Sequence, residues 1–379
     1  MACHACGDGE LVELAGPAAL TWITSDFRPW PWHGCLDLCT ACGTVQKRRD
    51  AAWHQAVAEI YASYDPYPQG ARIEQAIFAP DGTAPRTRSQ VILTRLIAAE
   101  TLRTTGRMLD IGCGNGALLR SFGRLRPDWR LNGADLGTTF AQEIRMLPGV
   151  EDFHPADPTR VAGPFNLMTM CHVLEHIPDP SVALHGWTSL LAAAGGMLVE
   201  VPDLARNPFD LVIVDHISHF TKATLARTLA RSGLHAKLLA DDWVAKELVA
   251  YAVPAPANST HAPSTEIAEA RDRVERQLLW LNTLLDAARK ACSNGRFGIF
   301  GTAIGGTWLQ VSLDGTADFF VDEDPNRIGG HHLGKPILAL SDVPTDATVA
   351  VPLPPPAATA VAARLAARGI ATVLPPASW

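Results

Sequence analysis

The strongest constraint on the fold lies in residues 109–116, which read LDIGCGNG. The apolar residues before this segment predict a short strand, and the residues from Ala117 onward predict a helix. Gly112, Gly114 and Gly116 can adopt backbone angles closed to other residues, and they let a ligand lie against bare amides. The segment therefore predicts a strand, a tight turn and a helix that together hold a nucleotide or nucleoside.

A second strand, in RLNGADLG, ends at Asp135, one strand-helix unit after the glycine turn. A carboxylate at the end of such a strand can accept hydrogen bonds from both hydroxyls of a ribose. The pattern GCGNG lacks the spaced third glycine of the dinucleotide fingerprint, which argues against an NAD-binding unit. Asp110, which opens the turn, can accept hydrogen bonds from an ammonium group or from ordered water.

These motifs resemble those of the class I S-adenosylmethionine methyltransferases, whose first motif has the form (D/E)xGxGxG. The resemblance covers residues 90–240 and implies an α/β, Rossmann-like core that uses S-adenosylmethionine. It also implies that Asp157 lies against the adenine amine of the donor, because related enzymes place a residue there. The implied donor residues are Asp110, Gly112, Gly114, Asp135 and Asp157.

The strand of residues 165–170 runs into a turn that carries Cys171, His172, Glu175 and His176. In doubly wound sheets ligands bind at the carboxyl ends of the strands, so we expect these side chains to face the cleft. Cys171 is expected to contact the donor. The turn, HVLEHIPDP, resembles the fourth methyltransferase motif.

Two histidines and a carboxylate follow in DHISHF, which holds Asp215, His216 and His219 before a helix with Thr221 as its predicted N-cap. Histidine can act as a base near neutral pH, and a neighbouring carboxylate can orient its ring. We predict that His216 is the general base, that Asp215 orients it and that His176 assists. A network that caps the helix is the structural alternative.

Four of the eight cysteines form two CxxC pairs, Cys3 with Cys6 and Cys39 with Cys42. In a cytosolic chain, paired CxxC knuckles indicate a tetrahedral zinc site, because each knuckle supplies two thiolates. A closed four-ligand site has no open position, so we expect the zinc to be structural. Two disulfides are the alternative. The spare candidate ligands are His4, His33 and Cys35.

The composition and net charge of the chain indicate which classes of partner it can bind. The chain has 379 residues, is 47% hydrophobic and 19% charged, and carries a net charge of −7 without a dense basic block. This charge argues against nucleic acid as the main partner. The first residues do not resemble a signal peptide, and no apolar run is long enough to span a membrane. We therefore expect a cytoplasmic monomer or homodimer that acts on a small molecule.

The last part of the chain repeats the order strand, glycine turn, helix and acid-ended strand, in GRFGIFGTAIGG and ADFFVDEDP. The glycine turn after Phe300 can hold a phosphate, and Asp322 can hold a ribose or a sugar. This pattern predicts a second, small Rossmann-like unit.

The whole arrangement of cysteine knuckles, methyltransferase core and C-terminal Rossmann-like unit resembles the sugar C-methyltransferases that act on nucleotide-linked keto-deoxysugars. DHISHF is similar to that family's EHxSYF-like stretch, and HVLEHIPD to its NVLAHVPD-like turn. The resemblance implies that His216 removes a proton beside a ketone and that His176 is a second active-site histidine. Residues that depart from the family pattern are Ile213, His172 and Ile304, in place of tyrosine, asparagine and lysine.

We expect a zinc-binding domain at residues 1–50, a methyltransferase core with a helical lead-in at 51–255, and a linker helix with a substrate-binding domain at 256–379. The predicted function is C-methylation of a nucleotide-linked keto sugar or a related metabolite. O-methylation of a sugar or natural-product hydroxyl is the first alternative, and a non-catalytic module that binds S-adenosylmethionine is the second. Tyrosines of the lead-in that can contact substrate or simply pack are Tyr61, Tyr64 and Tyr67.

Overall fold

The fold is that of a computed structural model of the chain. The structure describes residues 2–14, 20–31, 34–65, 74, 76–77, 86–100, 102–256 and 267–379. Within this part of the chain the main sheets contain four, seven and six strands.

The strands and helices are numbered in chain order. The strands are β1 (Leu11–Glu13), β2 (Trp22–Ile23), β3 (Pro29–Trp30), β4 (Leu36–Cys39), β5 (Val45–Lys47), β6 (Ala76–Ile77), β7 (Arg86–Thr87), β8 (Gly106–Ile111), β9 (Trp129–Asp135), β10 (Val150–Pro155), β11 (Phe165–Cys171), β12 (Leu191–Pro202), β13 (Ser218–His219), β14 (Leu234–Ala240), β15 (Glu247–Pro254), β16 (Phe297–Phe300), β17 (Phe319–Asp322), β18 (His331–His332), β19 (Lys335–Ala339), β20 (Thr348–Ala350) and β21 (Ala371–Val373). The helices are α1 (Ala51–Ala62), α2 (Arg88–Ala99), α3 (Ala117–Leu125), α4 (Ala141–Arg145), α5 (Pro180–Thr188), α6 (Lys222–Arg231), α7 (Ile267–Cys292), α8 (Ile304–Ser312) and α9 (Pro355–Ala366).

The seven-stranded sheet has the order β10-β9-β8-β11-β12-β15-β14. Its first five strands are parallel, and β15 runs antiparallel to both of its neighbours. Parallel strands are covered on both faces, which explains why most residues of β8 and β11 are buried on both sides of the sheet. The predicted Rossmann-like α/β core is confirmed.

The functional residues cluster because the parallel strands end at one edge of this sheet. β8 ends at the glycine turn, β9 ends at Asp135, and β11 ends at Cys171. The register pairs Cys171 with Glu200 of β12, so the acidic Glu200 lies beside the end of β11. This edge is where a doubly wound sheet binds its ligand.

The N-terminal sheet has the order β1-β4-β5-β13 and is antiparallel. The residues of β13 pair with β5, Ser218 with Gln46 and His219 with Val45. The sheet that begins near the N-terminus is therefore completed by two residues from the middle of the chain.

The helical lead-in is fixed by two N-caps. The side chain of Asp50 accepts a hydrogen bond from the Trp53 amide at the start of α1. Thr87 and Gln90 form a reciprocal capping box at the start of α2. Such caps satisfy amides that have no partner inside the helix, so α1 and α2 begin where the sequence supplies a polar oxygen.

The six-stranded sheet has the order β18-β19-β17-β16-β20-β21, and only β18 is antiparallel to its neighbour. Its centre reproduces the predicted order, with β16 leading through a glycine turn into α8 and then into β17. The chain thus contains a second Rossmann-like sheet.

The long helix α7 joins the N-terminal and C-terminal sheets. Its residues Leu281 and Leu284 belong to one buried cluster with Leu38 of β4 and with Phe320 of β17. The indole Nε1 of Trp280 donates to the carbonyl oxygen of Pro376 at 2.9 Å. Within the described residues, no helix combines the length and the apolar character needed to cross a membrane.

Candidate active site

The four cysteines of the two CxxC pairs meet at the edge of the N-terminal sheet. The Sγ atoms of the four residues all lie within 4.8 Å of one another. The distance between Sγ of Cys3 and Sγ of Cys42 is 3.5 Å, and that between Sγ of Cys6 and Sγ of Cys39 is 3.6 Å. All eight cysteines are free thiols. The sulfurs are much further apart than the about 2.05 Å of a disulfide. They are close to the roughly 3.8 Å expected between the sulfurs of a tetrahedral zinc site with bonds of about 2.3 Å.

Both knuckles close with a glycine, as the sequence indicated. The amides of Gly7 and Gly43 donate to the carbonyl oxygens of Cys3 and Cys39, each at 2.9 Å, and both glycines have a φ near +72°. That left-handed conformation strongly favours glycine. Of the spare candidates, the His4 ring bonds to Ser218 through Nδ1 at 2.8 Å. Cys35 is half-buried, and His33 lies outside the described residues.

One large cleft, of about 2760 Å³, runs along the edge where the parallel strands end. Its walls come from α1, from the turns after β8 and β11, from the loop before β13, and from the glycine turn before α8. Among the residues that line it are Tyr61, Gly112, Gly114, Asp135, Cys171, His172, His176, His216, Gly301 and Arg327. The cleft therefore brings together residues from both Rossmann-like sheets.

The first glycine turn, residues 112–116, has the geometry that the sequence predicts. Gly112, Gly114 and Gly116 have φ values of 71°, 50° and 79°. A Cβ atom on Gly112 would lie 2.2 Å from Cγ2 of Val173, so only glycine allows this close approach. The turn presents bare backbone to the cleft, as a nucleoside cradle requires.

Asp135 lies at the rim of the cradle and holds its shape. Its Oδ2 accepts a hydrogen bond from the Gly114 amide and its Oδ1 from the Gly137 amide, both at 2.9 Å. Each carboxylate oxygen can accept more than one hydrogen bond. Asp135 therefore retains acceptor capacity on the cleft side for a pair of hydroxyls.

The other predicted donor residues occupy different positions. Asp110 is buried and accepts a hydrogen bond from Thr169 Oγ1 at 2.6 Å, and burial raises the pKa of Asp110 to about 7. Cys171 lines the cleft, and burial raises the pKa of its thiol well above the usual value. Asp157 accepts hydrogen bonds from the amide and hydroxyl of Thr159 and so caps the short turn Pro158–Arg160.

His216 faces the cleft, but the carboxylate that holds it is not the predicted one. Its Nδ1 lies 2.6 Å from Oδ1 of Asp210, and both side chains are buried. The prediction that Asp215 orients His216 is therefore corrected. The reason is local geometry: Asp210 lies at the centre of a buried 3₁₀ turn, Pro208–Val212, that brings its carboxylate beside the histidine ring.

Asp215 instead belongs to His176. Its Oδ2 lies 3.3 Å from Nδ1 of His176, and the amide and hydroxyl of Ser25 donate to its two oxygens. Burial opposes ionisation of Asp215, but its bond to His176 and the nearby positive charges outweigh burial and hold the pKa well below its usual range. His176 and His216 thus each have a carboxylate partner of their own.

The two histidine rings are adjacent and nearly perpendicular, with centroids 4.6 Å apart and an interplanar angle of 84°. The ring of Tyr61 meets His176 edge to face at 6.3 Å and stacks on Tyr64 at 5.0 Å. One ligand atom from each of Glu175, His176 and His216 lies within 4.8 Å of the others. The remaining lead-in tyrosine, Tyr67, lies outside the described residues.

The alternative that DHISHF caps a helix is not what these residues do. Thr221 is the N-cap of α6, as predicted, and it forms a capping box with Thr224. His216 and His219 bond to Asp210. The histidines are therefore available to the cleft and to a buried network.

Comparison with known proteins agrees with this geometry. A family model described as a methyltransferase domain matches residues 84–237. Residues 84–237 form a class I methyltransferase domain of the S-adenosylmethionine-dependent type. The methyltransferase domain contains the first glycine turn and the turn after β11, and the remainder of the chain lies outside the match.

Curated relatives are named ubiquinone biosynthesis O-methyltransferases. The protein of Xanthomonas euvesicatoria pv. vesicatoria is 28% identical over 173 residues, which are 39% of this chain and 68% of the relative. That of Psychrobacter cryohalolentis is 31% identical over 112 residues, 27% of this chain and 42% of the relative. The chain spans about half of the length of several other relatives of the same name.

Among solved structures, a calicheamicin-biosynthesis methyltransferase, CalO1 with SAH bound, has 21% identity and a TM-score of 0.37. The match covers 44% of this chain and 53% of that one. The mitomycin 7-O-methyltransferase MmcR has 16% identity and a TM-score of 0.38, covering 44% and 54%.

Three acidic residues surround His172. Its Nδ1 lies 3.1 Å from Glu175, and its Nε2 lies 3.8 Å from Glu200 and 3.6 Å from Glu247. Burial and Arg88 oppose protonation of His172, but these three carboxylates outweigh them and raise its pKa to about 9. His172 is therefore a cation near neutral pH and is unsuited to act as a base.

Sequence reasoning missed Asp210, Lys47 and Ser25. Asp210 was hidden in the apolar run NPFDLVIV, where a lone carboxylate is itself a signal, because buried carboxylates are normally paired. Lys47 and Ser25 reach the site from residues far away in sequence, and no local pattern indicates such a contact.

The second glycine turn, residues 301–306, resembles the first in its acidic anchor. The amide and hydroxyl of Thr302 donate to Oδ2 of Asp322 at 3.2 and 2.8 Å. Arg327 donates to Thr302 Oγ1 at 3.0 Å and lies 3.6 Å from Asp322. A Cβ on Gly305, at the start of α8, would lie 2.4 Å from the carbonyl oxygen of Pro352. Close packing against the loop after β20 therefore also requires glycine at this position.

Proposed function

We propose that the chain transfers a methyl group from S-adenosylmethionine to a small-molecule acceptor bound in the cleft. The observation that carries the proposal is that one cleft contains both the glycine turn of a methyltransferase domain and His216, an imidazole held by the buried Asp210. A module that only bound the donor would not need a buried carboxylate to orient a histidine toward the acceptor space.

The residues of the cradle fit the donor. The first glycine turn offers bare amides, and Asp135 presents carboxylate oxygens at the rim. When bound, S-adenosylmethionine supplies an electrophilic methyl group. We assign Asp135 to the ribose hydroxyls, Gly112 and Gly114 to close backbone contact, and Cys171 to the wall beside the methyl group. Asp110 supports the turn from below through Thr169.

Within this function we propose C-methylation of a nucleotide-linked keto sugar. The support is the resemblance of DHISHF and HVLEHIPD to the sugar C-methyltransferases, together with a second Rossmann-like turn in the same cleft. The Nδ1–H of His216 donates to Asp210, which leaves Nε2 to take the proton from the carbon beside the ketone. The electron pair of that C–H bond is then available to form the new carbon–carbon bond.

The adjacent His176 can donate a hydrogen bond to the oxygen that becomes negative when the proton leaves. Its Nδ1–H faces the carboxylate and the carbonyl oxygen of Asp215, which fixes the ring. Burial lowers the pKa of His176, but Asp215 and Glu175 outweigh burial and raise it, so the protonated ring carries a second N–H on Nε2. A donor aimed at developing negative charge stabilises the transition state more strongly than the ground state. We assign His176 to the enolate oxygen and His216 to the proton.

O-methylation is the second candidate, because the curated relatives are named O-methyltransferases. In that reaction His216 takes the proton from a hydroxyl, and no enolate has to be stabilised. The two candidates therefore place the same base at different acceptor atoms.

The two reactions are separated by incubating the full-length protein with candidate nucleotide sugars and a donor with a deuterated methyl group. Mass spectrometry and NMR of the product locate the methyl group on carbon or on oxygen. A second measurement follows exchange of the acceptor's C–H proton with D₂O in the absence of donor. If the unaltered protein exchanges this proton and His216→Ala does not, the result supports C-methylation. A methyl group on oxygen without proton exchange supports O-methylation. Donor binding without S-adenosylhomocysteine for any acceptor would reject the methyltransferase function.

We also propose a structural zinc ion on Cys3, Cys6, Cys39 and Cys42, because their sulfur spacing fits a tetrahedral site. Metal analysis should give about one zinc per chain, and Cys39→Ser should lower it. If the analysis instead finds a second equivalent of metal and His176→Ala removes it, that metal is assigned to Glu175, His176 and His216. His216 would then be a metal ligand and not the general base. Absence of metal with two disulfides would reject the zinc site.

A further inference from the structure

A buried chain of hydrogen bonds connects His216 to the N-terminal sheet. Lys47 Nζ lies 3.1 Å from His219 Nε2, and His219 Nδ1 lies 2.6 Å from Asp210 Oδ2. The other oxygen of Asp210 lies 2.6 Å from His216 Nδ1. Lys47 Nζ also donates to the main-chain carbonyl of His216 at 2.7 Å. Lys47 therefore contacts the loop of His216 directly and its ring through two intermediates.

The position of Lys47 is fixed by the unit that carries the cysteines. Lys47 is the last residue of β5, which follows the knuckle of Cys42, and β5 pairs with β13. The Lys47 amide donates to the carbonyl of Ile217 at 2.8 Å. The His4 ring, beside Cys3, bonds Ser218 from the other knuckle. The loop of His216 is thus held between the two cysteine knuckles and the core sheet.

Burying Lys47 is costly, so its place needs a reason. The residue is 0% exposed, and burial lowers its pKa to about 7 although Asp210 and Asp215 favour its charge. A lysine is almost never fully buried unless it is paired. An apolar residue would fill the same space between β5 and β13 without a desolvation cost. The ammonium group is explained if its donors are needed.

The donors and acceptors along this chain fix the ring tautomers. As an ammonium group Lys47 only donates, so in that state His219 accepts at Nε2 and carries its proton on Nδ1, which donates to Asp210. Asp210 then accepts from both rings, and His216 carries its proton on Nδ1. The lone pair of His216 Nε2 is left for the cleft, which is the state that a general base requires.

We propose that Lys47, acting through His219 and Asp210, is a positioning residue for His216, so that the cysteine-bearing unit is part of the methyl-transfer site. The proposal rests on the proposed function of His216 as base. It adds to that function a specific role for the N-terminal sheet.

The test compares two variants of the full chain that remove opposite charges, Lys47→Met and Asp210→Asn. Removing the positive charge eases protonation of His216, so the acid limb of the kcat/KM profile moves to higher pH. Removing the negative charge moves it to lower pH. Neither variant replaces the other titratable groups around His216, which are His176, Glu175, Asp215 and His219.

Both variants should lower kcat by at least about tenfold while the donor Kd, measured by isothermal titration, changes less than about twofold. Lys47→Arg, which keeps the charge and the donors, should recover part of the rate. The matched control is Lys290→Met on the exposed face of α7, which should behave as the unaltered protein. Acid limbs that stay in place, or that move in the same direction, would overturn the proposal, because a general loosening of the site does not produce opposite shifts.

If circular dichroism shows that Lys47→Met does not fold, His219→Gln and His219→Leu replace it. Glutamine can accept from Lys47 and donate to Asp210, so it should retain most of the rate, whereas leucine should lose it. Equal rates for the two would overturn the proposal. His216→Ala is measured in parallel: if it remains active the proposed base is wrong, and if it is inactive while Lys47→Met is normal only the positioning role is wrong.

Discussion

The two glycine turns of this chain are built alike and used differently. Each follows a buried parallel strand, precedes a helix, and is anchored by an aspartate at the end of the next strand, Asp135 in the first turn and Asp322 in the second. Among the described residues, the carboxylate at the first turn accepts hydrogen bonds from backbone amides of the turn and its flank. At the second turn the Thr302 hydroxyl also donates to the carboxylate, and the positive charge of Arg327 lies 3.6 Å from it.

This difference indicates what each turn can bind. An aspartate that faces a cleft with acceptor capacity suits the hydroxyls of a ribose, whereas an arginine beside an amide turn suits an anion such as a phosphate. The shared strand-turn-helix geometry therefore does not imply a shared ligand. Under the proposed function the donor binds at the first turn and an anionic part of the acceptor binds at the second, and four predictions test that division.

The largest effect is expected at the reacting atoms between the turns. His216→Ala should lower kcat by about a hundredfold to ten-thousandfold, because a general base contributes on that scale, with donor affinity nearly unchanged. Steady-state kinetics and isothermal titration of the same preparation give both quantities. A loss of only a few-fold would transfer the role of base to His176 or a lead-in tyrosine.

The second effect is an opposite pH response beneath the two turns. Burial raises the pKa of Asp110 to about 7, so its contribution to folding is full below about 3.8 and is lost as pH rises toward 7. Burial lowers the pKa of His332, which bonds Thr307, to about 4, so its contribution is present above about 6.5 and is lost as pH falls toward 4.

Each of these groups should change the free energy of unfolding by about 3 to 4 kcal/mol across its window. Thermal melts between pH 4 and 7 should show Asp110→Asn gaining stability relative to the unaltered chain as pH rises. His332→Gln should gain relative stability as pH falls. Parallel curves for the two variants would show that neither group titrates on folding.

The third effect compares the two anchoring aspartates. Asp135→Ala should weaken donor binding by roughly 1 to 3 kcal/mol, because ribose hydroxyls and turn amides lose their acceptor. Asp322→Ala should leave donor affinity unchanged, and Asp135→Asn should fall between them. Equal losses at Asp135 and Asp322 in isothermal titration would contradict the assignment of the donor to the first turn.

The smallest effect is expected at the second turn. Arg327→Met should raise the acceptor KM by about tenfold, since one charge-assisted hydrogen-bond donor to an anion is worth about that much. The donor Kd should stay the same. The control is Arg368→Met, at an exposed arginine between α9 and β21 that donates to the carbonyl oxygen of Ser341. A change in donor affinity instead would place the donor at the second turn.

Much of the fold followed from local sequence patterns. The apolar strands, the glycine turns and the Thr221 cap depend on residues close together in sequence, and the structure contains each of them. β13 was not predicted, because two polar residues within DHISHF carry no strand signal of their own and pair only because β5 lies beside them. Short strands of this kind are stabilised by their partner and not by their own propensity.

The candidate site was less accessible from sequence. The residue types were indicated by the motifs, but which carboxylate holds which histidine depends on the 3₁₀ turn that places Asp210 under His216. Asp215 is next to His216 in sequence, yet its side chain points to His176 and Ser25 instead. Neighbours along an irregular loop diverge in space, so adjacency in sequence was a poor guide to hydrogen-bond partners.

The pairing of β5 with β13 also affects the order in which the chain assembles during synthesis. The ribosome releases both cysteine knuckles early, but the free edge of β5 has no partner until Ser218 and His219 emerge. An unpaired strand edge is a site for association with other chains. A fragment that ends after residue 50 would keep this edge exposed, so the cysteine unit is not a self-contained module.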